Sequence, residues 1–167
     1  MTVVNIQLDI SQLSRVIDKA VERLSRPKLM FAEMGEELLA IHFARFTAQQ
    51  APDGTPWQPL KDWYRESKKK NVDKILTLDG HLSGTLHYQA SDTGVIFGSD
   101  RPYAAIHQFG GVIKPKGNYP LKLGAAKDSP RAQSVTIPAR PWLGLSADDE
   151  QRLIDIARKH LKNEFNT

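Results

Sequence analysis

From Lys28 to about Gln50 the chain is apolar around most of a helical circumference. Met30, Phe31, Met34, Leu38, Leu39, Ile41, Phe43 and Phe46 do not fall on one stripe but ring the axis. A surface helix carries one apolar face, so this one has to be covered on more than one side. The rest of the 167 residues must therefore wrap around it. Pro27 stands at its start, where a missing N–H does no harm. His42, inside this apolar run, is expected to be a packed or boundary residue rather than a ligand. A chain of this length suits one compact domain, 1–167.

The flanking segments supply the wrapping. "VVNIQLDI" (3–10) alternates apolar and polar residues, the pattern of a half-buried strand. Leu13, Val16, Ile17, Ala20, Val21 and Leu24 then recur at three- and four-residue steps, which predicts a first helix. "APDGTPWQPL" (51–60) is turn chemistry. Asp53 can bond the backbone and Gly54 can take positive φ, while Trp57 is an aromatic anchor for the loop. A short helix is expected within 60–70. Strands at about 85–90 and 94–98 are joined by the "SDTG" turn as a hairpin. "SADDEQRLIDIARKHLKNEF" closes the chain as a helix capped by Ser146, with acids in the first turn and bases in the last. Its expected inner face holds Leu153, Ile156, Ala157, His160, Leu161 and Phe165. The expected fold is α+β. A mostly antiparallel sheet, built from the hairpin and from strands near 3–8 and 135–138, packs against the long 28–50 helix and the C-terminal helix. The first helix lies at the edge.

"SDRPYAAIHQFGG" (99–111) carries helix start and stop signals: Ser99 or Asp100 as cap, Pro102 near the first turn, and Gly110 with Gly111 past the end. His107 falls in the last turn, with Tyr103 one turn earlier on the same face. Such a histidine is favoured by the helix dipole and can reach a free carbonyl, so a packed, hydrogen-bonded role is expected over catalysis. Residues 112–134 have three prolines, two glycines and no helical period, and read as a basic, flexible loop. They contain Lys114, Lys116, Lys122, Lys127 and Arg131 against the single acid Asp128.

Charge follows the same division. Residues 1–60 hold six basic and seven acidic groups, whereas 61–167 hold seventeen and twelve. A positive patch attracts nucleic acid or an acidic protein surface. There is no cysteine, so disulfides, thiolate catalysis and Cys-ligated zinc are excluded. The opening residues show no secretory signal pattern, and no apolar run approaches the ~20 residues that span a bilayer. H-E-x-x-H, G-x-x-x-x-G-K-[ST] and G-x-G-x-x-G are all absent. "GHLSG" (80–84) has its serine one place late for a nucleophile elbow. His81 and His87 have no spacing that aims both at one metal. Asp53 and Asp79, each followed by glycine, read as turn residues. No cofactor is expected.

Four stretches in order complete the reading: "FTAQQAPDGTPWQPL" (46–60) with Tyr64, "ILTLDGHLSGTL" (75–86), "VIFGSDRPYAAIHQFGG" (95–111) and "IPARPWLGLSADD" (137–149). Together they resemble the phage virion-morphogenesis family, the tail-completion proteins of contractile-tailed phages. The pairing of "YAAIHQFGG" with "IPARPWLG" is the specific part. "DGHLS" departs from the family's usual "TG-x-L-R", and 112–134 matches poorly. The resemblance implies a non-enzymatic structural protein of the particle, acting in the virion where the tail meets the head. Its expected partners are other tail or neck proteins and further copies of itself, in a ring assembled in the host cytoplasm. Candidate contact residues are Lys114, Lys116, Lys122, Lys127, Arg131, Arg140 and Trp142. Asp53, Gly54, Trp57, Tyr103, His107, Gly110 and Gly111 are expected to shape the structure. A nucleic-acid-binding module using the basic loop is the alternative, and a small hydrolase using His107 the third.

Overall fold

A computed structural model describes residues 11–124 and 129–165. The strand expected at 3–10 and the loop residues Lys127 and Asp128 lie outside them. The fold is α+β, with helices predominating. Helix α1 spans Ser11–Arg23, α2 Pro27–Ala48, α3 Asp62–Ser67, α4 Ala104–Phe109 and α5 Ala147–Phe165. Strands β1 (Leu86–Ala90) and β2 (Val95–Ser99) form the expected hairpin, with Leu86 opposite Ser99 and Ala90 opposite Val95.

Helix α2 is the spine. It packs against α5, β1 and β2, which covers most of its ring of apolar residues and leaves Phe43 exposed. Its first half gives Met30, Phe31, Met34 and Leu38 to one core, where Leu13 and Ala20 of α1 meet Leu153, Ile154 and Ala157 of α5. Its last turns give Phe46 to a second core with Trp57, Leu82, Leu86, Ala104 and Trp142. Helix α1 packs along α5 and contributes fully buried side chains, so it belongs to the main core and not to an edge. Gln49, with φ 56°, ends α2 in the left-handed conformation, and its carbonyl accepts the Trp57 N–H at 2.9 Å.

Gly35 of α2 lies face to face with the Tyr88 ring of β1. A Cβ at this position would overlap three ring carbons. Glycine inside a helix ordinarily costs about 1 kcal/mol relative to alanine. Gly35→Ala should nevertheless destabilise, because separating α2 from β1 costs about 1–3 kcal/mol of overpacking. Urea denaturation checks the sign, and a stabilised variant would show that the approach is not tight.

The strands do not merge into one sheet. Among the described residues there are three separate antiparallel pairs: β1–β2, then β3 (Gly111–Ile113) with β6 (Val135–Ile137), then β4 (Leu121–Lys122) with β5 (Arg131–Ala132). The strand near 135–138 thus pairs with 111–113 and not with the hairpin. Segment 112–134 is not without regular structure either. Its described residues form a short two-stranded arm, whose ladders come from residues too few and too interrupted by Pro and Gly to show a strand period.

Candidate assembly surface

The two most specific sequence stretches interlock. Gln108 of α4 is buried, and its Oε1 accepts the N–H groups of both Trp142 and Leu143 at 2.9 Å. Its Nε2 donates to the Leu143 carbonyl at 2.9 Å. The Trp142 indole N–H donates to the Ala104 carbonyl at 3.1 Å, and the Arg140 N–H to the His107 carbonyl at 2.8 Å. Gly110 ends α4 with φ 70°, and a Cβ there would sit 2.7 Å from the Ala139 nitrogen. "YAAIHQFGG" and "ARPWLG" are therefore two halves of one joint, made of one side-chain amide and a close backbone approach.

A third stretch locks onto the same joint. Trp57 is 3% exposed, donates its indole N–H to the Pro141 carbonyl at 2.8 Å, and meets the Phe46 ring edge-on at 5.4 Å. The turn before it is built as its residues dictate: Asp53 Oδ1 accepts the Thr55 N–H at 2.9 Å and Gly54 takes φ 82°. Arg140 crosses back, donating from Nε to the Gln58 carbonyl at 2.7 Å and from Nη2 to the Pro59 carbonyl at 3.0 Å. Burial holds its guanidinium below the ordinary arginine range.

Arg140 and Trp142 were expected at a contact surface, and here the structure corrects the sequence. Both are buried, because each satisfies main-chain carbonyls of another loop. His107 is corrected in part. It sits in the last turn of α4 against Tyr103, with ring centroids 5.9 Å apart, but its Nδ1 is buried without a hydrogen-bond partner. Burial first, and Arg140 second, lower its pKa and so favour the neutral ring. The start of α4 also differs. Tyr103 is the N-cap and no side chain caps it, while Ser99 Oγ accepts the Arg101 N–H at 3.3 Å.

Below the joint lies a polar lock that the sequence does not announce. Arg45 of α2 is buried, and its Nη2 pairs with Asp149 Oδ2 at 2.8 Å. Its Nη1 donates to the Gly144 carbonyl at 2.8 Å. Asp149 also accepts the Ser146 N–H at 2.8 Å, while Ser146 Oγ accepts the Asp149 N–H at 3.1 Å, a reciprocal capping box at the start of α5. One carboxylate thus caps α5 and ties it to α2. Beside it His42 Nδ1 donates to the Leu38 carbonyl at 2.7 Å and Nε2 faces the Gly144 N–H at 3.5 Å. Its ring lies 4.5 Å from that of Phe97. Lys68, in the basic run 61–74, also turns inward: its Nζ donates to the Lys74 carbonyl at 2.7 Å and the Thr77 carbonyl at 2.9 Å.

Burial drives the His42 pKa down to about 4 from 6.5. The native state therefore prefers neutral His42, and below pH 6.5 the unfolded chain binds the extra proton. This contribution to stability is complete above the unfolded pKa and is lost as pH falls through about 4. The expected loss is about 3 kcal/mol between those limits. His42→Gln, which cannot titrate, should flatten that part of the stability–pH curve measured by denaturant midpoints. An unchanged curve would assign the acid sensitivity to other groups.

The arm lies on the outside. Lys114, Lys116, Lys122 and Arg131 are all exposed, as are Phe109, Val112 and Tyr119. Lys127 lies outside the described residues. No group of three metal-ligating side chains is gathered among the described residues. No helix among them is long and apolar enough to cross a membrane.

The model of the phage virion morphogenesis family matches residues 8–162. Protein G of Escherichia phage Mu, whose name refers to capsid assembly, is 29% identical over 161 residues, covering 94% of this chain and 93% of its own. Tail completion protein S of Escherichia phage P2 is 30% identical over 135 residues, 78% of this chain and 81% of its own. No solved structure matches. With both interlocking stretches inside the matched span, the chain belongs to the phage virion morphogenesis family.

Proposed function

We propose that this protein completes the phage tail at the end that joins the head. It acts as a non-enzymatic structural subunit, seated in the virion among tail or neck proteins. The observation that carries this reading is the likeness to tail completion protein S over most of both chains. The structure supports it in kind. The most specific residues build joints and caps, and the segment between the two interlocking stretches carries exposed cations and apolar groups. Several copies would contact one another head to tail around the tail axis, since a heterologous contact closes into a ring when its rotation allows. Assembly takes place in the host cytoplasm.

Deleting the gene from its phage or prophage should leave heads and tails unjoined in electron micrographs, and supplying the protein should restore joined particles. Normal yields of infectious particles without it would sink the reading. The mass of the purified protein in solution tests the ring separately: a monomer at all concentrations, with and without tails, would remove it.

A further inference from the structure

The ladder β4–β5 has two rungs. One rung sets Lys122 directly opposite Arg131, and the other sets Leu121 opposite Ala132. Directly opposed residues leave a sheet on the same face, and successive rungs alternate. One face of this tip is thus half-buried and apolar, while the other presents two cations side by side in solvent. Neither cation has an ion-pair partner among the described residues. Opposed like charges destabilise a strand pair. Here they sit on the shortest class of ladder, in a two-stranded ribbon that is marginal in isolation. A local rule broken at an exposed position, with no compensating acid among the described residues, points to compensation by a partner.

The surroundings say what kind of partner fits. Tyr119, two residues before β4, is 85% exposed, and Val112 and Phe109 near the arm's root are each 57% exposed. An aromatic, an arginine and aliphatic groups together have the composition of protein-interface anchors. A face that tracks DNA needs cations spaced along phosphates and gains little from desolvating valine or phenylalanine. We infer that Lys122 and Arg131, with the exposed Tyr119 close by in the chain, form a clamp for carboxylates on an acidic, partly apolar surface of another virion protein. This rests on the particle-assembly reading above. The carboxylates relieve the cross-strand repulsion, and the Arg131 guanidinium can take one of them through two N–H groups.

Charge substitutions separate docking from folding, because the two respond in opposite directions. Lys122→Glu turns the repulsive rung into an attractive one. It should leave the melting temperature unchanged or raised, while lowering the yield of complete particles by about tenfold or more. Lys122→Glu with Arg131→Glu restores a like-charge rung of opposite sign and should abolish completion with near wild-type melting. Lys122→Gln with Arg131→Gln removes the repulsion and should also fail to complete particles, which covers any folding defect of the glutamate pair. Second-site revertants of the glutamate pair should replace Asp or Glu by Lys or Arg in another virion protein. A fluorescein-labelled DNA duplex at about 0.15 M salt should show no saturable anisotropy change with the wild-type protein. Saturable DNA binding that the glutamate pair abolishes would overturn the inference in favour of nucleic acid. Wild-type particle yields from the glutamate pair, in a phage that needs this protein, would overturn the clamp alone. If the gene deletion itself leaves particle yield intact, the assembly reading falls first.

Discussion

An Arg45→Met variant is expected to lose about 3–5 kcal/mol of stability, the range for removing one member of a buried ion pair. Methionine fills similar space, so the loss is not one of volume. It comes from what is left behind. The Asp149 carboxylate stays buried beside Ser146 without its counter-charge, and the Gly144 carbonyl loses a charged donor at 2.8 Å. Replacing Asp149 by Asn alone should also destabilise, since Asp149 serves both the ion pair and the α5 capping box. The double variant should be clearly less damaged than the sum of the two, because each single change leaves the other's partner stranded. Denaturant unfolding of the four proteins gives the coupling. Additive losses would mean that the 2.8 Å contact contributes no specific energy to the fold.

Trp57→Ala is expected to cost a comparable amount, about 3–5 kcal/mol, as deletion of a large buried aromatic does. The indole fills the second core against Phe46 and holds the Pro141 carbonyl. Its loss also frees the following Gln58 and Pro59 carbonyls from their fixed position over Arg140. Trp57→Phe keeps most of the packing and drops the hydrogen bond, so it should lose roughly 1–2 kcal/mol for the unsatisfied Pro141 carbonyl. Denaturant midpoints order the three proteins. In the folded wild type the Trp57 component of fluorescence should resist aqueous quenchers, which variants lacking the other two tryptophans can isolate. A Trp57→Ala protein as stable as wild type would mean that the loop is not anchored there.

Neither change touches the arm. Both act on the body that presents it, so particle completion should fall with folded protein. Only the Lys122 and Arg131 changes are expected to lower completion while folding is kept.

Much of this protein is legible in its residues. Three- and four-residue apolar periods in α1 and α5 place those helices, because a buried stripe must repeat with the helical turn, and the long apolar run after Pro27 places α2. The alternation in 86–90 and 95–99 places the hairpin for the corresponding reason. Turn residues announce themselves where positive φ or a backbone-bonding side chain is required, as at Asp53, Gly54 and Gly110. What the chain order cannot show is which polar groups meet. Arg45 and Asp149 are 104 residues apart, and each has a local alibi as a surface base or a first-turn acid. An arginine set between Phe43 and Phe46 in an apolar helix was the one available signal. Gln108 is an ordinary glutamine until two distant N–H groups converge on it. Arg140 and Trp142 look like contact residues in a proline-rich stretch, and only the carbonyls that come to meet them turn them inward. The arm's ladders also depend on a long-range return of the chain, which short runs do not encode by period. Local periodicity thus determines the elements, since it acts between neighbours in sequence. The joints, the buried lock and the opposed cations of the arm are decided only when the fold brings residues far apart in the chain within hydrogen-bonding distance.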